Sequence, residues 1–143
     1  SPVASSTGGG IYNAGAATLW GTTVVRQNRA GFGGGLYNAG AASLHDFAAL
    51  AENTAGQKGG GAFNSSAMTL FETTAVTDNH SGGDGGGIYT TGAFTLQDAS
   101  TVRRNTSGIA ITGIGGIAST SSLGDTCTPP RVQKNTPVNC SAS

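Results

Sequence analysis

Three carboxylates, Asp46, Glu72 and Asp98, recur at intervals of 26 residues, and a glycine, Gly21, holds the position 25 residues before the first. If a repeated backbone stacks them, neighbouring carboxylates lie about 5 Å apart. Such a row suits two chemistries. One is Ca²⁺, which takes about 6–8 oxygen ligands. The other is the acid–base work of paired carboxylates in cleaving a glycosidic bond. No Ser or Cys nucleophile belongs to a motif with His45 beside Asp46, and no basic residue accompanies the acids as a lyase would need. Each acid also falls where a strand should end, a place where Asp commonly caps a turn. The turn cap is therefore the default reading, with catalysis and Ca²⁺ binding as alternatives.

A second set of candidates is aromatic. Trp20, His45 and Phe71 occupy one periodic column, which Gln97 ends, and Tyr12, Tyr37, Phe63 and Tyr89 occupy another. Aromatic rings offer an apolar face to sugars, or they stack on one another to cover a sheet. Trp20, His45, Phe71, Tyr12, Tyr37 and Tyr89 are the candidate ligand-binding residues, with a polysaccharide or cell-surface glycan as the partner. Thr18, Ser43, Thr69 and Thr95 make a hydroxyl column, and small residues flank the Val25 column. A flat Thr/Ala face of this kind is a third possibility, ice binding, against which stand the bulky Trp20 column and the arginines.

These columns exist because the chain repeats. A Gly triplet opens at Gly8, Gly33, Gly59 and Gly85, followed by an apolar residue and an aromatic. Leu19, Leu44, Leu70 and Leu96 form a further column, and Val25, Leu50, Val76 and Val102 another. Three residues beyond the last stand Asn28, Asn53, Asn79 and Asn105. A degraded unit follows with Gly115-Gly116-Ile117 and Val132-Gln133-Lys134-Asn135. A period of this length signals a solenoid. Short Thr- and Val-rich segments alternating with period two give it strand texture rather than helical texture.

The expected fold is all-β, a right-handed parallel β-helix (β-solenoid) of about five coils of 25–30 residues with three strands per coil. One domain spans 1–143, with a lead-in over 1–7, four regular coils over 8–107 and an irregular, capped last coil over 108–143. The asparagines should form a hydrogen-bonded ladder at left-handed turns.

Composition agrees. Leu, Ile, Val and Phe together number only 25 of 143 residues, while Gly alone also numbers 25. Few large apolar residues suffice when stacked coils share burial. Seven basic residues balance seven acidic ones, which argues against nucleic acid. No apolar run is long enough for a membrane span. No cofactor is implied. Arg26, Arg29, Arg103 and Arg104, with Glu52 and Asp78, read as solvated salt-bridge stripes.

Gly-Gly-Gly-Ile-Tyr-Asn-Ala-Gly (8 to 15) and Gly-Gly-Gly-Leu-Tyr-Asn-Ala-Gly (33 to 40), each with its Leu strand and Val/Leu-x-x-Asn turn, resemble the polymorphic outer-membrane-protein repeat. That repeat builds the right-handed parallel β-helices of chlamydial autotransporter passengers and of many bacterial secreted or surface proteins. The resemblance covers roughly residues 8 to 140, most clearly to 107. It implies a scaffold and an extracellular or cell-surface location, and no activity. Passengers of this type are usually longer and carry a barrel or anchor, so the sequence reads either as a short protein or as a segment of a longer one.

Ile109 to Ile114 is an apolar insertion, and Pro129-Pro130 cannot donate to a ladder. Cys127 and Cys140 flank the last Val-x-x-Asn turn, and a disulfide between them would close the final coil, worth about 3 kcal/mol in the loop-entropy model. It would also suit an oxidising compartment. The N-terminal edge has no comparable device, so self-association through that edge is expected. The leading functional expectation is a non-catalytic secreted or surface domain with a structural, adhesive or glycan-binding role.

Overall fold

Four short strands, not three, make up each coil. A computed structural model describes residues 6–108, 114–119, 132–136 and 138–140. The first coil holds β1 (Ile11–Asn13), β2 (Ala16–Leu19), β3 (Val24–Arg26) and β4 (Arg29–Phe32). The second holds β5 (Leu36–Asn38), β6 (Ala41–Leu44), β7 (Ala49–Ala51) and β8 (Thr54–Lys58). The third holds β9 (Ala62–Asn64), β10 (Ala67–Leu70), β11 (Ala75–Thr77) and β12 (His80–Ser81). The fourth holds β13 (Ile88–Thr90), β14 (Ala93–Leu96), β15 (Thr101–Arg103) and β16 (Thr106–Ser107). Beyond them β17 (Ile114–Ser119), β18 (Val132–Gln133) and β19 (Val138–Cys140) continue two of the sheets.

Every strand pairs in parallel with its equivalent one coil away, giving four sheets in the orders β1-β5-β9-β13-β17-β19, β2-β6-β10-β14, β3-β7-β11-β15-β18 and β4-β8-β12-β16. The chain is thus an all-β parallel solenoid of about four turns, with no helix among the described residues. The register follows the repeat: Leu44 stands between Leu19 and Leu70, and Val76 between Leu50 and Val102.

The fourth strand escapes sequence reading because its inward positions are small or polar. Ala30, Ala55 and Ser81 are buried there, where the other sheets bury Leu, Val and Ile. Of the lead-in, Ser6 and Thr7 are described, and both are bonded to the end of the first coil. Thr7 bridges Phe32, the Phe32 amide donates to the Ser6 carbonyl, and the Gly31 amide donates to Ser6 Oγ.

Apolar side chains of the first three sheets meet in one continuous core. Leu36, Leu44, Leu50, Leu70, Val76, Ile88 and Val102 are fully buried, and Met68 and Phe94 fill the second sheet where other coils carry Ala. The Gly triplets sit where the chain turns into the first sheet. Gly59 has φ of 73°, and a methyl group on Gly60 would run into the carbonyl oxygens of Gly86 and His80. Only glycine serves there.

The asparagine ladder is present, with one correction. The left-handed residue is not Asn but the one before it: Gln27, Glu52, Asp78, Arg104 and Lys134 all have φ near 57°. Asn contributes through its amide. In each interior rung the Asn oxygen accepts from both the backbone N–H and the side-chain N–H of the preceding Asn, as Asn79 does from Asn53 at 2.9 and 3.1 Å. Its nitrogen donates to the next Asn and to a carbonyl oxygen of the preceding coil, Asn105 Oδ1 and Leu50 O for Asn79, both at 2.9 Å.

A second ladder runs through the first sheet and is not foreseen. Asn13 Nδ2 donates to Asn38 Oδ1 at 2.7 Å, Asn38 to Asn64 at 2.8 Å, and Asn64 to Thr90 Oγ1 at 3.0 Å. The apolar insertion at Ile109 to Gly113, Pro129-Pro130 and Cys127 lie outside the described residues. Cys140 packs half-buried against the core.

Candidate functional site

Asp46, Glu72 and Asp98 stack one per coil just beyond the second sheet, in backbone with φ of 60°, 50° and 55°. Gly21 takes the same conformation in the first coil, with φ of 65°. Left-handed backbone is unfavourable for residues with a Cβ, by about 1–2 kcal/mol. Glu72 and Asp98 help offset that cost in the acid one coil before, and Asp46 makes the same bond to Gly21, which bears no such cost. Asp46 Oδ2 accepts the Gly21 N–H at 3.0 Å, Glu72 Oε2 accepts the Asp46 N–H at 3.1 Å, and Asp98 Oδ2 accepts the Glu72 N–H at 3.0 Å. The acids are turn caps operating between coils. Among the described residues, no three His, Cys, Asp or Glu side chains gather as a set that could hold a metal ion.

His45 sits between two rings. Its centroid is 4.2 Å from that of Trp20 at 13° between planes, and 4.6 Å from that of Phe71 at 8°. Nδ1 lies 3.4 Å from Glu72 Oε2, an ion pair when the imidazole is protonated. The other aromatic column stacks the same way: Tyr12 on Tyr37 at 5.3 Å, Tyr37 on Phe63 at 5.0 Å, and Phe63 on Tyr89 at 5.2 Å. Lys58 Nζ lies 4.5 Å from the Tyr89 ring centroid and 3.3 Å from its hydroxyl.

Stacking decides what these rings can still do. Tyr37, Phe63 and His45 have both faces occupied by neighbouring rings, so they offer edges to a ligand. Tyr12 and Trp20, the first rings of their stacks in this chain, are 57% and 58% exposed. Phe47, which belongs to neither aromatic column of the repeat, is 66% exposed at the corner after β6. Among the described residues, the large apolar side chains left this open lie in the first two coils, with Val24 beside them.

The hydroxyl column is also formed. Thr18, Ser43, Thr69 and Thr95 point outward on the second sheet beside Ala16, Ala41, Ala67 and Ala93. The Trp20 stack bounds it on one side, so the flat strip is narrow.

Two ion pairs link coils on the third sheet. Arg26 Nη2 reaches Glu52 Oε1 at 2.7 Å. Arg104 donates from Nε and Nη2 to the two Asp78 oxygens at 3.1 and 3.3 Å, and from Nη2 to Thr77 Oγ1 at 3.1 Å. The Arg104 hydrogen bond, more than any other influence, holds the Asp78 carboxyl below the usual carboxylate range. A depressed folded-state pKa contributes stability above the unfolded-state pKa, and the contribution is lost as pH falls through the folded value. Both partners are nearly half exposed, so the pair should be worth only about 0.2–1 kcal/mol. Asp78→Asn keeps the left-handed turn and should be less stable than the parent at pH 7 by that amount. Urea melts at descending pH should show the gap closing in acid; a gap that persists below the carboxylate range would assign the loss to the turn instead.

No family model, curated protein or solved structure matches the chain; its fold is a parallel β-solenoid, and its likeness to the polymorphic outer-membrane-protein repeat is a resemblance carried by the Gly-Gly-Gly-x-aromatic pattern.

Proposed function

We propose that this chain is a non-catalytic, secreted or cell-surface solenoid module of the polymorphic outer-membrane-protein repeat type, with a structural or adhesive role and contact to glycans through its exposed aromatics. One observation carries the reading: the periodic polar columns are consumed by the scaffold. Both amide ladders and the Asp46, Glu72 and Asp98 carboxylates bond to neighbouring coils. A carboxylate engaged with a backbone N–H of a turn is poorly placed to protonate a leaving group, which weakens the polysaccharide-cleaving alternative. The aromatic edges along both stacks, with Trp20 and Tyr12 as the open rings, remain for a sugar.

The test is incubation with a panel of neutral and acidic polysaccharides. The expected outcome is retention without reducing ends or unsaturated products, and quenching or shift of Trp20 fluorescence by a retained polymer. Appearance of cleavage products that vanish in Glu72→Gln would overturn the non-catalytic reading. Self-association at the N-terminal edge belongs to the same proposal and would show as concentration-dependent mass.

A Cys127–Cys140 disulfide completes the extracellular reading, because the two are the chain's only cysteines and Cys140 lies at the core margin. Thiol titration of the denatured, unreduced protein should find no reactive thiol; two would sink the pairing.

A further inference from the structure

We infer that Asn64, Asn79 and Asn105 are N-glycan acceptors in the unfolded chain alone, so that glycan transfer and folding of this solenoid exclude one another. Each begins an Asn-x-Ser sequence whose middle residue is not Pro: Asn64-Ser65-Ser66, Asn79-His80-Ser81 and Asn105-Thr106-Ser107. That pattern is the acceptor of N-glycosylation, and it ordinarily marks a surface loop. Here it marks the interior. Asn64 and Asn105 are 0% exposed and Asn79 is 1% exposed. The first belongs to the amide ladder of the first sheet and the other two to the ladder at the turns. Ser81, the hydroxyl residue of the middle sequence, is fully buried as well.

The three amide nitrogens are also fully engaged. A side-chain amide has two N–H donors. Asn64 directs them to Thr90 Oγ1 at 3.0 Å and the Ala93 carbonyl at 2.9 Å. Asn79 directs them to Asn105 Oδ1 and the Leu50 carbonyl, both at 2.9 Å. Asn105 reaches Asn135 Oδ1 at 2.9 Å and the Val76 carbonyl at 3.0 Å. Transfer from a lipid-pyrophosphate-linked oligosaccharide forms a bond between Nδ2 and the anomeric carbon of the sugar. The bond from that carbon to the pyrophosphate oxygen breaks, and Nδ2 gives up one hydrogen as a proton. Each glycan therefore removes a donor from a ladder and leaves a buried acceptor unsatisfied. It also places a saccharide where neighbouring coils are close-packed. The native fold thus seals the three nitrogens from a transferase, and a chain glycosylated first cannot close its ladders.

This inference does not rest on the glycan-binding reading. It bears on the route of export, since a chain that meets an N-glycosyl transferase before folding is trapped unfolded. The test is translation of the full chain, behind a cleavable signal peptide, into rough microsomes. Ser141→Ala is present throughout, to remove the remaining sequence of the pattern, Asn139-Cys140-Ser141. A second chain carries Leu44→Asp with Val76→Asp, two carboxylates at fully buried positions that keep it unfolded with all three acceptor sequences intact. Amidase release leaves Asp at each modified site, read by peptide mass. The unfolded variant should carry glycan at Asn64, Asn79 and Asn105. The parent chain, refolded before it meets solubilised transferase and lipid-linked donor, should carry none. Parent molecules glycosylated during import should be digested about tenfold faster or more than those imported with excess acceptor tripeptide to block transfer, because cleavage follows the open population. A parent that imports without glycan while the unfolded variant is fully modified would support the exclusion, with folding ahead of transfer. Glycan on the refolded parent at any of the three sites would overturn it, as would a glycosylated parent as protease-resistant as the unmodified one. A site left bare in the unfolded variant, while the tripeptide is modified, would overturn the acceptor assignment there.

Discussion

Leu70→Ala is expected to lower unfolding free energy by about 2–5 kcal/mol, the range for truncating a buried leucine in a close-packed core. Leu70 is fully buried and stands in register between Leu44 and Leu96, also buried, so stacked leucines flank the deleted atoms on both sides. Backbone ladders to β6 and β14 hold the strands apart and prevent the cavity from collapsing. The loss should therefore sit toward the upper part of the range. Urea unfolding should show a lower midpoint at an unchanged slope. A loss below about 1 kcal/mol would mean that the site relaxes or that Leu70 does not face the interior.

The asymmetry between what the sequence tells and what it hides follows from the same stacking. Leu19, Leu44, Leu70 and Leu96 are legible because a narrow solenoid repeats one side chain directly above another, and chemical identity survives from coil to coil. Three of the four sheets announce themselves in this way. The fourth does not: Ala30, Ala55 and Ser81 carry little apolar signal although their strands pair as regularly as the others. A count of apolar columns thus gives three strands where the backbone makes four. The extra turn residues absorb the discrepancy.

Turn chemistry shows a subtler version. Asn is the most common non-glycine residue in left-handed backbone, so the Asn28 to Asn135 column invites that assignment. The structure gives the strained position instead to Gln27, Glu52, Asp78, Arg104 and Lys134, residues with no common chemistry. What they share is the following Asn, whose amide oxygen binds the backbone N–H of the Asn one coil before. Support from a neighbouring coil, rather than local propensity, selects the conformation. The signal for the second ladder was present in Asn13, Asn38 and Asn64, each two residues beyond an apolar position, but Thr90 breaks the identity while preserving the acceptor. The acidic column is a parallel case. Its spacing suggested shared chemistry, and the shared property is a carboxylate long enough to reach one turn back.

Asn79→Ala should cost about 2–4 kcal/mol, because truncation strands several buried groups at once and each unsatisfied one costs about 1–3 kcal/mol with incomplete additivity. Four hydrogen bonds disappear. Asn53 loses the acceptor for its backbone N–H and its side-chain N–H, the Leu50 carbonyl loses a donor, and so does Asn105 Oδ1, which still accepts the Asn79 backbone N–H. Asn28 provides the internal comparison. It is only half-buried, it donates to Asn53 Oδ1 and to the Arg26 carbonyl, and truncating it leaves its own backbone N–H still bonded to Asn53. Asn28→Ala should therefore cost roughly 1 kcal/mol, the net value of an ordinary hydrogen bond. The contrast tests the ladder itself. If interior amides matter because each is bonded on both sides, Asn79→Ala must be the more damaging substitution by a clear margin. Equal losses in the two variants would mean that the rungs act independently, and that stacking of apolar side chains, rather than the amide column, holds these turns in register.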